Sequence, residues 1–375
     1  MTPDTAAPPT WFQRFLLPGF AFKAVVIGGG YATGRELAEF FLPNGPWGGL
    51  AGMLLATVLW SVIAAATFAF ARTVGAFDYR SFFAALLGPG WVLFEIAYVL
   101  FVVLILSVFG AAAGAIGAAM FDLPPLVGTL TLAVCIAGFA AFGNASVERL
   151  FKWVSILLYA VYGLFLLLGL GSFGDRIAAN FALPAPTDGW ALGGLTYASY
   201  NVVGAVVILP VLRHLTSRRD AVVSGLIAGP LAMAPAILFF VCMIAFYPAI
   251  GSETLPSDFM LRQLELPVFH LLFQFMIFAA LLESGTGSVH AINERIAAVW
   301  RARRRQELGV RARGLIAATL LIGCIFVADR FGLVALIASG YRALAILFLA
   351  VYVLPLLTVG VARLLRTRRM SKVVA

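Results

Sequence analysis

A glycine run followed at once by an arginine and a glutamate interrupts an apolar segment near the N-terminus. Residues 25–38 read VVIGGGYATGRELA. Glycine weakens a helix, so the backbone N–H and C=O groups between Gly28 and Gly34 are expected to leave the helical ladder. In hydrocarbon such groups need partners, and secondary transporters supply them by breaking a helix around a cavity near the midplane. The pattern predicts a binding site for a small solute; close packing through small residues is the alternative.

A second apolar segment carries polar side chains at its centre. Residues 193–212 read GGLTYASYNVVGAVVILPVL. A tyrosine offers an apolar ring with one hydroxyl, which suits a small amphipathic solute, and an asparagine amide in mid-membrane needs several partners. Ordinary hydrogen bonding between helices is the alternative for the tyrosines. The predicted substrate-binding residues are Gly28, Gly29, Gly30, Tyr31, Thr33, Tyr197, Ser199, Tyr200 and Asn201.

One acidic residue is a candidate for carrying a coupling ion. Glu283 lies near the middle of a long apolar segment, where an unpaired carboxylate costs about 3 kcal/mol or more. Such a carboxyl can exchange a proton when a cavity opens to it; structural pairing with Arg35, Arg342 or the broken backbone is the alternative. Ser284 and Ser288, at i and i+4, share a helical face. We therefore predict ion coupling through these three residues, with H⁺ or Na⁺ as the coupling ion.

Four charged residues are predicted to form a gate over the binding site. Arg35 and Glu36 follow the glycines directly, and Glu39 lies on the same helical face as Arg35. Arg342, in the last apolar segment, would repel Arg35 unless an acid intervenes. In the gate interpretation Arg35 exchanges partners as access to the site alternates. A permanent local ion pair is the alternative.

These side chains must be positioned by membrane-spanning helices. The chain is 62% apolar and 11% charged, with a mean hydropathy of +1.00, against about 45–50% apolar and 25% charged in soluble domains. Ten apolar stretches approach the length that crosses a bilayer, about 20 residues each, although the ninth is short. They run approximately over residues 20–42, 48–72, 91–120, 125–143, 150–171, 190–212, 221–249, 267–298, 313–328 and 332–362.

The distribution of basic residues supports this count, because cytoplasmic loops are enriched in Lys and Arg. With the N-terminus inside, 21 of the 26 basic residues lie in internal loops or tails, three lie outside and two within spans. The pI of 9.8 therefore reflects topology and contact with anionic headgroups. Both termini are expected to be cytoplasmic, the lipid bilayer is the expected partner, and nucleic-acid binding is not expected.

The two interrupted segments occupy corresponding positions in two sets of five spans. Many transporters consist of two such repeats in opposite orientation, so we predict an all-α membrane protein with a 5+5 inverted repeat in which helices 1 and 6 are broken. Half-helix N-termini that point at the cavity favour an anionic group, which favours an amino acid or related zwitterion as substrate. The predicted segments are an N-terminal tail (1–19), a first repeat (20–171), a second repeat (190–362) and a basic C-terminal tail (363–375).

Three motifs resemble those of a known family. The runs GGGYATGRELAEFF from Gly28, TYASYN from Thr196 and ESGTGSVHAINER from Glu283 are similar to those of the bacterial YkvI-like membrane proteins, within the amino acid-polyamine-organocation superfamily and its LeuT-type fold. The resemblance covers nearly the whole chain. It implies a central site between broken helices 1 and 6 and helices 3 and 8, alternating access coupled to Na⁺ or H⁺, and a location in the bacterial inner membrane.

The sodium site that the resemblance implies does not carry over completely. In sodium-coupled members of the superfamily the ion lies between carbonyls at the break of helix 1 and two adjacent hydroxyls on helix 8. Here Ser284, Thr286 and Ser288 are separated by glycines, and residues at i and i+2 do not share a helical face. Both coupling ions therefore remain open.

Other functional classes find less support in the sequence. The order His290, Asn293, Glu294 is not the H-E-x-x-H of a zinc helix, and no Ser/His/Asp set indicates an enzyme. No metal centre or cofactor is expected. A secondary transporter is the prediction, and a channel or a non-transporting sensor on the same fold is the alternative.

Overall fold

The computed structural model describes residues 9–26, 29–141 and 144–366. Within these ranges the regular structure is entirely helical. Gly28 and the outer parts of both predicted tails lie outside the described residues. The α-helices are α1 (Trp11–Phe15), α2 (Leu17–Val26), α3 (Gly29–Ala32), α4 (Arg35–Phe40), α5 (Gly45–Val74), α6 (Tyr79–Leu87), α7 (Trp91–Phe121), α8 (Pro125–Ala141), α9 (Asn144–Ala182), α10 (Trp190–Asn201), α11 (Val203–Val207), α12 (Arg218–Ile244), α13 (Pro256–Gln263), α14 (Pro267–Arg304), α15 (Val310–Ala335) and α16 (Arg342–Phe348).

Shorter turns and wide helical segments complete the chain. Short 3₁₀ segments cover Leu42–Asn44, Gly88–Gly90, Leu209–His214 and Ala249–Ser252. Near the C-terminus, π-helical segments cover Leu336–Tyr341, Leu349–Val353 and Leu356–Gly360. Such segments are rare and recur at functional sites.

Six continuous helical stretches of the described residues are long and apolar enough to cross a membrane, which confirms a multi-pass membrane protein. Two shorter apolar helices, Leu17–Val26 and Pro125–Ala140, add to them. The ninth and tenth predicted spans fall within one helical stretch that bends at Gly332, whose φ is +70°. The count of ten spans stays a prediction. The six stretches are Arg35–Val74, Tyr79–Phe121, Leu157–Ala182, Arg218–Ile244, Pro267–Ala297 and Val310–Arg366.

The core is built on close contact between α5 and α12. At Gly225 an added Cβ would lie 2.3 Å from the backbone nitrogen of Ala65, and at Gly229 it would lie 2.3 Å from Oγ of Ser61. The Ser61 hydroxyl donates to the carbonyl of Leu226 at 2.9 Å. Small residues let two helix backbones approach and pack where the hydrophobic effect gives little help. This contact joins a helix of the first predicted repeat to one of the second.

The glycine-rich segment divides into short helices. α2 ends at Val26, α3 covers four residues, and α4 begins at Arg35. Gly34, between α3 and α4, has a φ of +77°, a left-handed conformation that glycine adopts without steric cost. In the second segment α10 ends at Asn201 and is followed by α11 and a 3₁₀ turn that begins at Leu209. Both segments therefore depart from a single regular helix.

The short helices are held in the interior of the bundle. α3 packs against α7 and α14, and α4 packs against α10 and the π segment Leu336–Tyr341. The side chains predicted for the site are thus carried on elements that converge from distant parts of the sequence.

Candidate functional site

A buried carboxyl joins the two interrupted segments. Glu36, on α4, has 5% of its surface exposed. Its Oε2 accepts a hydrogen bond of 2.6 Å from the hydroxyl of Tyr200 on α10. Glu36 was predicted as a gate residue and Tyr200 as a substrate-binding residue, and the structure brings the two together in one bond.

Aromatic side chains enclose this bond. The ring of Tyr341 lies 4.4 Å from that of Tyr200, between centroids, and the ring of Tyr197 lies 5.7 Å away. Trp60, on α5, contacts Tyr197 at 5.5 Å and donates its indole N–H to the carbonyl of Ala198 at 3.1 Å. All of these rings are buried. The Tyr197 hydroxyl has no hydrogen-bond partner among the residues that the structure describes.

A second pair of tyrosines adjoins the cluster. The Tyr162 hydroxyl, on α9, lies 3.2 Å from that of Tyr31 on α3 and donates to it. Tyr162 also stacks on Phe239 of α12, with 5.8 Å between ring centroids. The pair therefore links the glycine-rich segment to two long helices.

The carboxyl of Glu36 has no basic partner within the described ranges. Its recorded polar contact is the Tyr200 hydroxyl, whereas Arg35, its neighbour in the chain, pairs elsewhere. A hydrogen bond to a charged group contributes about 1.5–3 kcal/mol, while removal of an ion from water costs several kcal/mol. The ionised form of Glu36 is therefore poorly compensated by this single bond.

Arg35 ties α4 to a distant turn. Its Nη1 donates to the carbonyls of Gly251 and Glu253, each at 2.9 Å, and its Nη2 pairs with Glu39 Oε2 at 3.0 Å. The backbone N–H of Ser257 donates to the carbonyl of Thr33 at 3.0 Å. Residues 251–257 therefore bond to the glycine-rich segment on both sides of Gly34, at Thr33 and at Arg35.

A polar cluster that the sequence did not single out continues from this turn. Asp258 Oδ1 lies 2.7 Å from Nε2 of His270 and accepts a 2.7 Å bond from Nε2 of Gln274. Asp258 Oδ2 lies 3.3 Å from the guanidinium of Arg262. The cluster connects α13 to the start of α14, so the segment that holds Arg35 is itself anchored.

Two of the remaining predicted substrate residues, Ser199 and Asn201, form hydrogen bonds within their own helix, α10. The hydroxyl of Ser199 donates to the carbonyl of Leu195 at 2.6 Å, and the amide of Asn201 donates to that of Tyr197 at 3.1 Å. Gly29 and Gly30 begin α3. Thr33 is buried and its hydroxyl accepts from the backbone N–H of Arg35 at 3.3 Å.

The predicted coupling residues lie on α14, apart from the Glu36 cluster. Glu283 is partly buried and contributes to the electrostatic environment of Tyr159 on α9. The Ser288 hydroxyl donates to the carbonyl of Ser284 at 2.9 Å. Arg342 is exposed, and among the described residues no ion pair joins it to the other three predicted gate residues.

Three side chains of the site were missed in the sequence, namely Trp60, Tyr162 and Tyr341. Each is an aromatic residue with a polar atom inside a predicted span. That property was available as a signal, since a buried tyrosine or tryptophan usually has a hydrogen-bond partner.

Comparisons with known proteins agree with this architecture. No family model matches the chain. The chain is 24% identical over 341 residues to the uncharacterized membrane protein YkvI of Bacillus subtilis (strain 168), covering 86% of this chain and 89% of that protein. The resemblance to the YkvI-like membrane proteins is thus confirmed.

Three solved structures are similar in fold. MhsT in complex with L-phenylalanine has a TM-score of 0.59 at 16% identity, covering 96% of this chain and 98% of that chain. A Na⁺-coupled sialic acid symporter has 0.61 at 13%, covering 94% and 81%. A manganese transporter of Eremococcus coleocola has 0.53 at 15%, covering 92% and 78%. The prediction of an all-α membrane protein with a LeuT-type fold is confirmed.

Proposed function

We propose that this chain is a secondary transporter that moves a small solute by alternating access, driven by H⁺ or Na⁺. The observation that carries the proposal is the 2.6 Å bond between Glu36 and Tyr200. It joins the two interrupted segments through a buried, chargeable group. A change in charge or occupancy at that point alters the contact between two mobile elements, and alternating access requires such a contact.

The proposal includes the finer architecture expected from the sequence. Ten spans form a 5+5 inverted repeat in the bacterial inner membrane, with both termini cytoplasmic, and the segments around Gly34 and Val202 are the broken parts of helices 1 and 6. Two proteins of similar fold are transporters, namely the Na⁺-coupled sialic acid symporter and the manganese transporter. This likeness in fold supports a transporter over an enzyme. No resident metal or cofactor forms part of the proposal.

An amino acid or related zwitterion is the proposed cargo. MhsT is similar in fold and was solved with L-phenylalanine. The clustered tyrosines around Tyr197 and Tyr31 provide ring surface together with hydroxyls, which suits a small amphipathic molecule. The proposal includes half-helix N-termini that point at the binding cavity, and such N-termini favour a carboxylate.

Transport by the purified full chain in liposomes tests the proposal. The probe is a mixture of tritiated L-amino acids, offered under an inward Na⁺ gradient and, separately, under an inward proton gradient. Protein-free liposomes and gramicidin, which collapses both gradients, are the controls. Accumulation above the external concentration under either gradient supports a coupled transporter. Downhill flux alone would indicate a channel, and binding without flux would indicate a sensor; either result contradicts the proposal.

A further inference from the structure

Among the residues that the structure describes, no basic side chain pairs with Glu36, although Glu36 lies at the junction of the two interrupted segments. On the basis of the proposed function, we infer that Glu36, and not Glu283, carries the coupling proton, and that Tyr200 transmits its charge state to α10.

Tyrosines are the titratable groups that face Glu36 from the neighbouring elements. Tyr31 lies on α3, Tyr197 and Tyr200 lie on α10, and Tyr341 lies in the π segment; the electrostatic effect of Glu36 reaches all four. The 3₁₀ turn Ala249–Ser252 also packs against α4 and provides a backbone carbonyl to Arg35.

The charged neighbours of Glu36 on its own helix are engaged with other groups. Arg35 donates to two carbonyls and to Glu39. Consecutive residues of a helix point about 100° apart, so the guanidinium is directed to the turn while the carboxyl is directed to α10. A proton is therefore the simplest species that can neutralise Glu36 in this arrangement.

The packing favours a proton over a metal ion or an organic cation. Na⁺ or another hard cation needs several oxygen ligands that converge on one point, whereas within the described ranges the polar contact of the Glu36 carboxyl is one hydroxyl at 2.6 Å. Phe40 and Tyr341 both pack against the Tyr200 ring, at 5.8 and 4.4 Å between centroids. A proton binds to such a group without displacing these side chains.

Protonation changes the bond between α4 and α10. An ionised carboxylate only accepts hydrogen bonds, whereas the protonated acid also donates one. The bond from Tyr200 then changes from charge-assisted to neutral, and its contribution falls by a factor of about ten in an equilibrium constant. Loading the proton thus weakens the contact that Tyr200 provides between α4 and α10.

A measurement of concentrative transport distinguishes Glu36 from Glu283 as the residue that carries the coupling proton. Wild-type chain, Glu36→Gln and Glu283→Gln are reconstituted with the tritiated L-amino acid mixture under a gradient of one pH unit. Glu307→Gln, which removes an exposed partner of Arg301, is the matched control. Coupling of one proton to one neutral solute limits accumulation to about tenfold. We expect accumulation in wild type and the Glu307 variant, and simple equilibration with retained exchange of preloaded label in Glu36→Gln.

An infrared measurement tests the proton site without any transport. Difference spectra between acidic and alkaline proteoliposomes detect the carbonyl stretch of a protonated carboxylic acid. We expect a pH-dependent band in wild type and in Glu283→Gln that is missing from Glu36→Gln. If Glu36→Gln also loses exchange, the infrared measurement still tests the proton site. A band that is absent only from Glu36→Gln supports the proposal, whereas a band that persists in Glu36→Gln overturns it.

The two proposals fail in different ways. Accumulation by Glu36→Gln at the wild-type level, or loss of coupling only in Glu283→Gln, overturns the assignment of the proton and leaves the transporter intact. Accumulation of the label under a Na⁺ gradient but not under a proton gradient also overturns the assignment of the proton and leaves the transporter intact. If no gradient drives accumulation but the band depends on Glu36, the transporter proposal fails while the proton site stands.

Discussion

Replacement of Gly34 by alanine tests whether the junction between α3 and α4 requires glycine for two reasons, the positive φ and the close packing around it. Gly34 has a φ of +77°, and an added Cβ would lie 2.7 Å from Cε1 of Phe239 and 3.1 Å from Cβ of Pro256. The ring of Phe239 is fully buried, stacks on Tyr162 and packs against Phe165, so it has little room to move. Alanine at this position therefore meets both a backbone cost and a steric cost.

The two costs are separable because the chain contains a matched glycine. Gly75 has a φ of +68°, and a Cβ there would meet nothing within 4 Å. The left-handed conformation costs alanine about 1 kcal/mol, and overpacking a buried site adds about 1–3 kcal/mol. We expect Gly75→Ala to lower the free energy of unfolding by about 1 kcal/mol and Gly34→Ala by about 2–4 kcal/mol.

Unfolding in mixed micelles of dodecylmaltoside and dodecylsulfate, followed by tryptophan fluorescence, measures both losses. In a Phe239→Leu background the smaller side chain should relieve the contact, so the loss from Gly34→Ala should approach that of Gly75→Ala. The reasoning is refuted if Gly34→Ala costs no more than Gly75→Ala, or if the loss is the same in both backgrounds.

Three further substitutions, the first with a matched control, probe the framework. Gly225→Val should prevent a stable fold, because the backbone of Ala65 lies where its Cβ would be; Gly323→Val, with nothing within 4 Å, should leave yield and thermal midpoint almost unchanged in detergent. Arg35→Lys should lower the free energy of unfolding by about 2 kcal/mol through lost fork contacts, and hydrogen exchange by mass spectrometry should become faster over residues 249–257. Asp258→Asn should cost about 1–2 kcal/mol, measured by the same unfolding, and an unchanged value would show that its three contacts contribute little.

Composition and the lengths of apolar runs were sufficient to predict the fold class. An apolar chain in lipid must satisfy its backbone internally, so helices follow from the composition, and the motifs around Gly28 and Glu283 pointed to the LeuT-type fold that the structural comparisons support. The glycine-rich segment was recognisable because Gly34 needs no partner residue elsewhere to adopt a positive φ.

The sequence did not predict which side chains pair with one another within the site. Tyr162 and Tyr31 are 131 residues apart and Tyr200 and Glu36 are 164 apart, and hydrophobic periodicity carries no information on the rotation of one helix against another. The long α14 illustrates this limit: Glu283 was conspicuous in the sequence as a charge within an apolar run, whereas Glu36 was predicted only as one of four charged gate residues.

Helix geometry explains why Glu36 takes no part in the ion pair of this segment. Arg35 and Glu39 share a face and pair at 3.0 Å, as residues at i and i+4 do, and this pair is complete without Glu36. The three charges of the segment RELAE thus sum to one negative charge, and that charge is directed into the bundle toward Tyr200. Because a buried charge without a counter-ion is costly, a role in binding a proton explains its position better than a role in local structure, for which a glutamine would serve as well.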